Sequence, residues 1–145
     1  MAEWHVGDSL SCSKTITEAD LKLYTGLCGD FSPLHEDEEY ARRSPFGRRI
    51  VPGLLTVSVV SAALSQRLAD FVLTSHNFTY VRPVYVGDTI TATTIIVVYD
   101  PGTGRMTLDS TYQNQLDEVV VLGRSHLLNL AHVQSYARLV AAFRH

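Results

Sequence analysis

Residues 54–68 constrain this chain more than any other stretch. Leu54, Leu55, Val57, Val59, Val60, Ala62, Ala63 and Leu64 fall on nearly every side of a helical wheel, and a helix without a polar face is a buried one. Its valines are poor helix formers, so tertiary packing must hold it. Downstream, the hydrophobic period changes from helical to two. Residues 76–84 and 91–99 read as strands. Residues 106–115 read as a third, with Met106, Leu108, Ser110 and Tyr112 alternating with Thr107, Asp109, Thr111 and Gln113. Residues 119–130 read as the last strand. Asp100-Pro101-Gly102-Thr103-Gly104 is a hairpin loop, and Leu116-Asp117 turns the chain.

Upstream, Val6-Gly7-Asp8 is a turn that opens a strand over 10–16, and Val86-Gly87-Asp88 echoes it. Thr17 predicts an N-cap with Asp20 as its capping-box partner. The helix behind it presents Leu21, Tyr24 and Leu27 on one face and stops at Gly29. Pro33 argues against helix between Asp30 and Leu34 and pushes Ser32 toward extended geometry. Asp37 caps a short helix over 38–43 whose acids and arginines suit the dipole. A terminal amphipathic helix over 133–143 would present Val133, Tyr136, Ala137 and Val140. One buried helix followed by long antiparallel strands predicts a sheet wrapped round that helix. This is the α+β hotdog arrangement, in a single domain over 1–145.

Composition narrows the function classes. The net charge is −3 with scattered arginines, which leaves no footprint for nucleic acid. No apolar run is long enough to span a bilayer, so no membrane partner is expected. Residues 1–5 lack the basic and apolar regions of a secretory signal. Cys12 and Cys28 are expected as free thiols in a reducing, cytoplasmic setting. No two of the six histidines sit at ligand spacing on one helix, so no metal is expected.

Three positions carry chemistry. By spacing alone, Asp30 caps the turn before Pro33 and His35 precedes the next helix. An Asp–His pair held by the Pro33 bend also suits general acid/base work on water, because His titrates near neutrality and a carboxylate can orient it. Gly53 follows Pro52 at a helix start, where backbone N–H groups have no acceptor within the helix. A carbonyl brought there would be polarised. Ser61, two turns into the apolar helix, has an ordinary reading as a hydroxyl bonded back to a carbonyl. Tyr80, Arg82 and Arg48 read as rim residues that could also meet an anionic cofactor tail.

The runs Tyr24-Thr25-Gly26-Leu27-Cys28-Gly29-Asp30-Phe31-Ser32-Pro33-Leu34-His35, Phe46-Gly47-Arg48-Arg49-Ile50-Val51-Pro52-Gly53-Leu54-Leu55 and Phe78-Thr79-Tyr80-Val81-Arg82-Pro83-Val84-Tyr85-Val86-Gly87-Asp88 resemble the signature of the MaoC-like family, the (R)-specific enoyl-CoA hydratases. The resemblance implies a hotdog fold, a homodimer or larger even assembly, and a coenzyme A or acyl-carrier-protein thioester as substrate. It implies no metal or redox cofactor. It makes Asp30 and His35 the catalytic pair and the Gly53 N–H the donor to the thioester carbonyl. Ser32, Pro33, Pro52, Leu54 and Ser61 are its candidates for contacting substrate. Ser32 stands where the family commonly has Asn, and Pro52 where it commonly has His.

The expected activity is a hydro-lyase adding water to a trans-2-enoyl thioester to give an (R)-3-hydroxyacyl thioester. A thioesterase on the same fold and a non-catalytic acyl-thioester-binding subunit are the alternatives. The first is disfavoured because no acid lies between Leu54 and Leu68.

Overall fold

The computed structural model describes residues 3–133 and 136–143. Strand β1 (Ser9–Thr15) leads into α1 (Glu18–Cys28), and two short helices follow, α2 (Pro33–Glu36) and α3 (Glu38–Arg42). The apolar stretch forms α4 (Gly53–Val57) and α5 (Val59–Arg67). Strands β2 (Phe71–Tyr80), β3 (Thr89–Asp100), β4 (Arg105–Gln113) and β5 (Val119–Asn129) then complete the sheet. All the pairings are antiparallel, in the order β1-β3-β4-β5-β2. This is the expected α+β hotdog fold.

The helices of the apolar stretch lie across one face of the sheet. Val57, Val59 and Val60 pack with Ile90, Ala92, Tyr112 and Val121. Ala63 and Leu68 pack with Leu10, Ile96, Met106, Leu108 and Leu127. Two features of this stretch differ from expectation. It is broken at Ser58, whose hydroxyl donates to the Leu55 carbonyl at 2.6 Å while the Ser61 N–H turns tightly onto the Ser58 carbonyl at 2.9 Å. A side chain that bonds back to the preceding turn in this way competes with the helical ladder. Nor is the helix buried all round: Leu54 is 64% exposed, and Ser58, Ser61, Ala62 and Ser65 share the open side.

Helix α1 is capped as expected. The Thr17 side chain accepts from the Asp20 N–H at 3.1 Å, and Asp20 accepts from the Thr17 N–H at 2.8 Å. Its last turn closes through Gly29, at φ 73°, whose N–H reaches the Thr25 carbonyl. A side chain in that left-handed conformation would be strained. The buried face is Leu21 and Thr25, whereas Leu27 is 88% exposed. Six residues beyond Leu21, Leu27 has rotated off that face.

The expectation of no helix before Leu34 is corrected. Pro33 opens the single turn α2 as its first residue, a position where its missing N–H costs nothing. Ser32 is extended as expected, and Asp37 caps α3 through the Tyr40 N–H at 2.9 Å. Strand β2 starts earlier than expected and ends at Tyr80. Beyond it the Val81 and Arg82 N–H groups converge on the Val120 carbonyl, and Pro83 has no donor to extend the ladder.

The two Val-Gly-Asp turns are equivalent. Gly7 donates to the Ile96 carbonyl at 2.8 Å, and Ile96 donates back to the Asp8 carbonyl at 2.9 Å. Gly87 donates to the Ile16 carbonyl at 2.7 Å, and Ile16 donates back to the Asp88 carbonyl at 2.9 Å. They bracket the β1–β3 ladder, which runs from Ser9↔Ile95 to Thr15↔Thr89.

At the C-terminus, α6 covers Tyr136–Ala142. Residues 134 and 135 of the expected helix lie outside the described residues. No helix among the described residues is long and apolar enough to cross a membrane.

Candidate active site

His35 sits in the last turn of α2, and three bonds bind this turn to the chain running into the apolar helix. The Ile50 N–H donates to the Leu34 carbonyl at 3.1 Å, the His35 ring Nδ1 lies 2.8 Å from the Ile50 carbonyl, and Arg49 reaches the His35 carbonyl at 3.3 Å. A carbonyl only accepts, so Nδ1 carries a ring proton, and the tautomer this bond selects has its lone pair at Nε2.

Nε2 faces Asp30. It stands 3.7 Å from the Asp30 Oδ2, with the His35 side chain 13% exposed and that of Asp30 39% exposed. That span is too long for a direct hydrogen bond, and both atoms are within reach of a single water molecule. Asp30 is held from behind: its Oδ1 accepts from the Ser32 N–H at 3.3 Å. Of the two readings left open by the spacing, the turn cap and the acid/base pair, the structure accommodates both at once. Ser32 contributes through its backbone, and Pro33 fixes the start of the turn.

Gly53 is the first residue of α4, with Pro52 as the cap rather than the first helical residue. Its N–H has no acceptor within the helix. With the break at Ser58, this N–H belongs to a short helix, so the donor itself matters more than the dipole behind it. A side chain here would have to push a neighbour aside: a Cβ on Gly53 would stand 2.7 Å from both Cε1 and Cζ of Tyr80. The Tyr80 ring therefore lies directly on the helix start.

A pocket of about 530 Å³ opens at this point, lined by Ile50, Gly53, Leu54, Tyr80, Arg82 and Val121 among others. Asp30 and His35 are not in its wall. Ile50 joins the two, lining the pocket while its carbonyl orients His35. Ser61 is not brought to the pair. It lines a second pocket of about 380 Å³ with Leu64, Phe71, Leu73 and His76. His76 bonds Ser125 at 2.7 Å, and burial lowers its pKa.

Two phenols flank the site. Burial pushes Tyr24 above its ordinary value, aided by a hydrogen bond with Cys28 and by the nearby Asp30 carboxylate. Burial raises Tyr80 as well. Both remain neutral donors at physiological pH. Arg48, expected at the rim, stacks 3.7 Å over the Tyr85 ring. Among the described residues there is no group of three or more His, Cys, Asp or Glu side chains placed to hold a metal ion.

Residue pattern reached Asp30, His35 and Gly53, but it gave no signal for the Ile50 carbonyl or for Arg49. Tyr80 was visible only as a rim residue, although the glycine beneath it is the trace of its close approach.

Comparison with known proteins identifies the family. Residues 6–119 match the family model for the MaoC like domain. The chain is 38% identical to the (R)-specific enoyl-CoA hydratase of Rhodospirillum rubrum over 62% of its own length and 64% of that enzyme's. It is 33% identical to the 3-hydroxybutyryl-CoA dehydratase of Methylorubrum extorquens over 83% of its own length and 77% of that enzyme's. Among solved structures, it superposes on the (R)-hydratase from A. caviae with a TM-score of 0.82 at 27% identity, covering 89% of this chain and 99% of that one. The family model spans most of the chain, including the turn that carries Asp30 and His35 and the helix start at Gly53, and the chain belongs to the MaoC-like dehydratase family.

Proposed function

We propose that this chain adds water reversibly to a trans-2-enoyl thioester of coenzyme A or acyl carrier protein, giving an (R)-3-hydroxyacyl thioester. The observation that carries the reading is the disposition of His35. Its Nδ1 proton is committed to the Ile50 carbonyl, and its Nε2 lone pair faces Asp30 across 3.7 Å. A water held between them loses a proton to Nε2 as its oxygen bonds Cβ. The pair returns a proton to Cα, so the net reaction adds hydroxyl and hydrogen and consumes one water. As Cα accepts the proton, the thioester oxygen passes through an enolate-like state, and the Gly53 N–H is the donor for that oxygen. The pocket beside Gly53 takes the thioester, with Leu54 in its wall and the buried Pro52 capping the helix start behind it. No cofactor is required.

The test is incubation with crotonyl-CoA while following the enoyl absorbance and free thiol. Loss of the enoyl absorbance without thiol release is the expected result. Thiol release would indicate a thioesterase, and no change in either signal would indicate a binding subunit.

The active form is a homodimer or larger even assembly. Strand β2 is an edge of the sheet, Leu73 and Tyr80 on it are exposed, and the open side of α4–α5 carries Leu54. A second copy would cover this edge and apolar surface together. Light scattering at micromolar concentration should give at least twice the chain's 16.1 kDa. An active species at the monomer mass would contradict the assembly.

A further inference from the structure

We propose that Arg49 is a positioning residue for catalysis, fixing the turn that carries His35 so that Nε2 faces Asp30. The inference rests on the hydratase reading for its kinetic consequence but not for its geometry.

The single turn α2 cannot hold itself. Nucleating a helix fixes several residues for one bond, and in a four-residue helix the last carbonyls have no helical N–H donors. The His35 carbonyl is one of these, and Arg49 Nη1 donates to it at 3.3 Å. A loosely tethered arginine would do this poorly, but Arg49 is bonded to two further side chains. Its Nη1 and Nη2 grip Glu18 of α1 in a fork at 3.0 and 2.8 Å, and its Nε donates to Glu38 of α3 at 3.1 Å. The side chain is only 19% exposed. Two carboxylates on two helices thus orient the guanidinium, and the guanidinium pins the turn between them. The planar fork is what makes this possible, since one group offers directed donors to three acceptors. The next residue in the chain, Ile50, supplies the carbonyl that sets the ring tautomer. Backbone and side chain of 49–50 therefore act as a clamp on both ends of His35.

The test compares Arg49→Leu and Arg49→Lys with the wild-type chain in crotonyl-CoA hydration and by NMR of the His35 ring. Arg49→Leu is expected to lower kcat about ten- to a hundredfold, the scale of a small misplacement of a reacting group, with KM little changed. The wild-type chain should show a slowly exchanging Nδ1–H signal that Arg49→Leu loses. Arg49→Lys keeps a charge for the two glutamates but not the fork, so it should recover thermal stability without recovering kcat. If Arg49→Leu does not fold, the pair Glu18→Gln/Glu38→Gln frees the guanidinium while leaving it in place, and should lower kcat in the same direction. Folded variants that keep both kcat and the Nδ1–H signal overturn the proposal. A wild-type chain that shows the Nδ1–H signal but no hydration would overturn the hydratase reading alone, and the NMR comparison would still decide the role of Arg49.

Discussion

Asp30→Asn and His35→Ala should each lower kcat for enoyl-thioester hydration by roughly 10²–10⁴, the usual contribution of positioned acid/base groups. The double variant should be little slower than the worse single. The reason is geometric. Nε2 and the Asp30 carboxylate stand 3.7 Å apart, a span across which the proposed mechanism has them act on one water rather than on two. Removing either group leaves nothing for the other to act on, and groups that work as a unit lose activity non-additively. Asp30→Asn keeps the shape and the bond from the Ser32 N–H but removes the charge that orients the water. Steady-state kinetics on purified, folded variants decide the matter: losses that multiply in the double variant would mean two independent groups and would sink the shared-water mechanism.

Gly53→Val should produce the second large effect. Loss of one oxyanion donor costs on the order of 3 kcal/mol, about a hundredfold in rate, and falls on kcat more than on KM because the charge on the oxygen grows toward the enolate. The sequence suggests only that branched carbons would shield the N–H. The structure adds a second consequence, since the new Cβ would also strike the Tyr80 ring. That ring is the far end of a half-exposed side chain, so it can swing aside and the fold should survive. The double variant Gly53→Val/Tyr80→Ala separates the two causes. If kcat stays low, the shielded donor is responsible; if it recovers, the displaced ring was blocking the pocket. A folded Gly53→Val chain with near-normal kcat would place the oxyanion donor elsewhere.

The parts of this molecule that were legible from sequence are those written in side-chain pattern. Alternation over 106–115 gave β4, and the Thr17–Asp20 spacing gave the start of α1. Apolar density gave the central helix but overstated its burial, because composition does not distinguish a face packed on the chain's own sheet from one left open. Pro33 misled in the opposite sense: it was read as a breaker, where its actual place is the first residue of a turn. Of the candidate site, Asp30, His35 and Gly53 were the part that residue pattern singled out. The elements that aim them were not, because Ile50 acts through a carbonyl that every residue possesses, and Arg49 acts on acids 31 and 11 positions away.

The paired Val-Gly-Asp turns bear on how the chain counts. Along β1 and β3, the outward-facing residues Ser11, Ser13 and Thr15 meet Thr93, Thr91 and Thr89 through hydroxyl contacts. Such near-identical hydroxyls would match almost as well after a shift of two positions, so they discriminate poorly between alignments. Side-chain identity on that surface is a ruler with unmarked divisions. The turns supply the end stops. One closes on Ile96 within β3 and the other on Ile16 just past β1, each through a reciprocal pair of backbone bonds, and a shifted ladder could satisfy neither. Alignment is thereby measured from both ends at once, and the low-information surface between them is left free to vary.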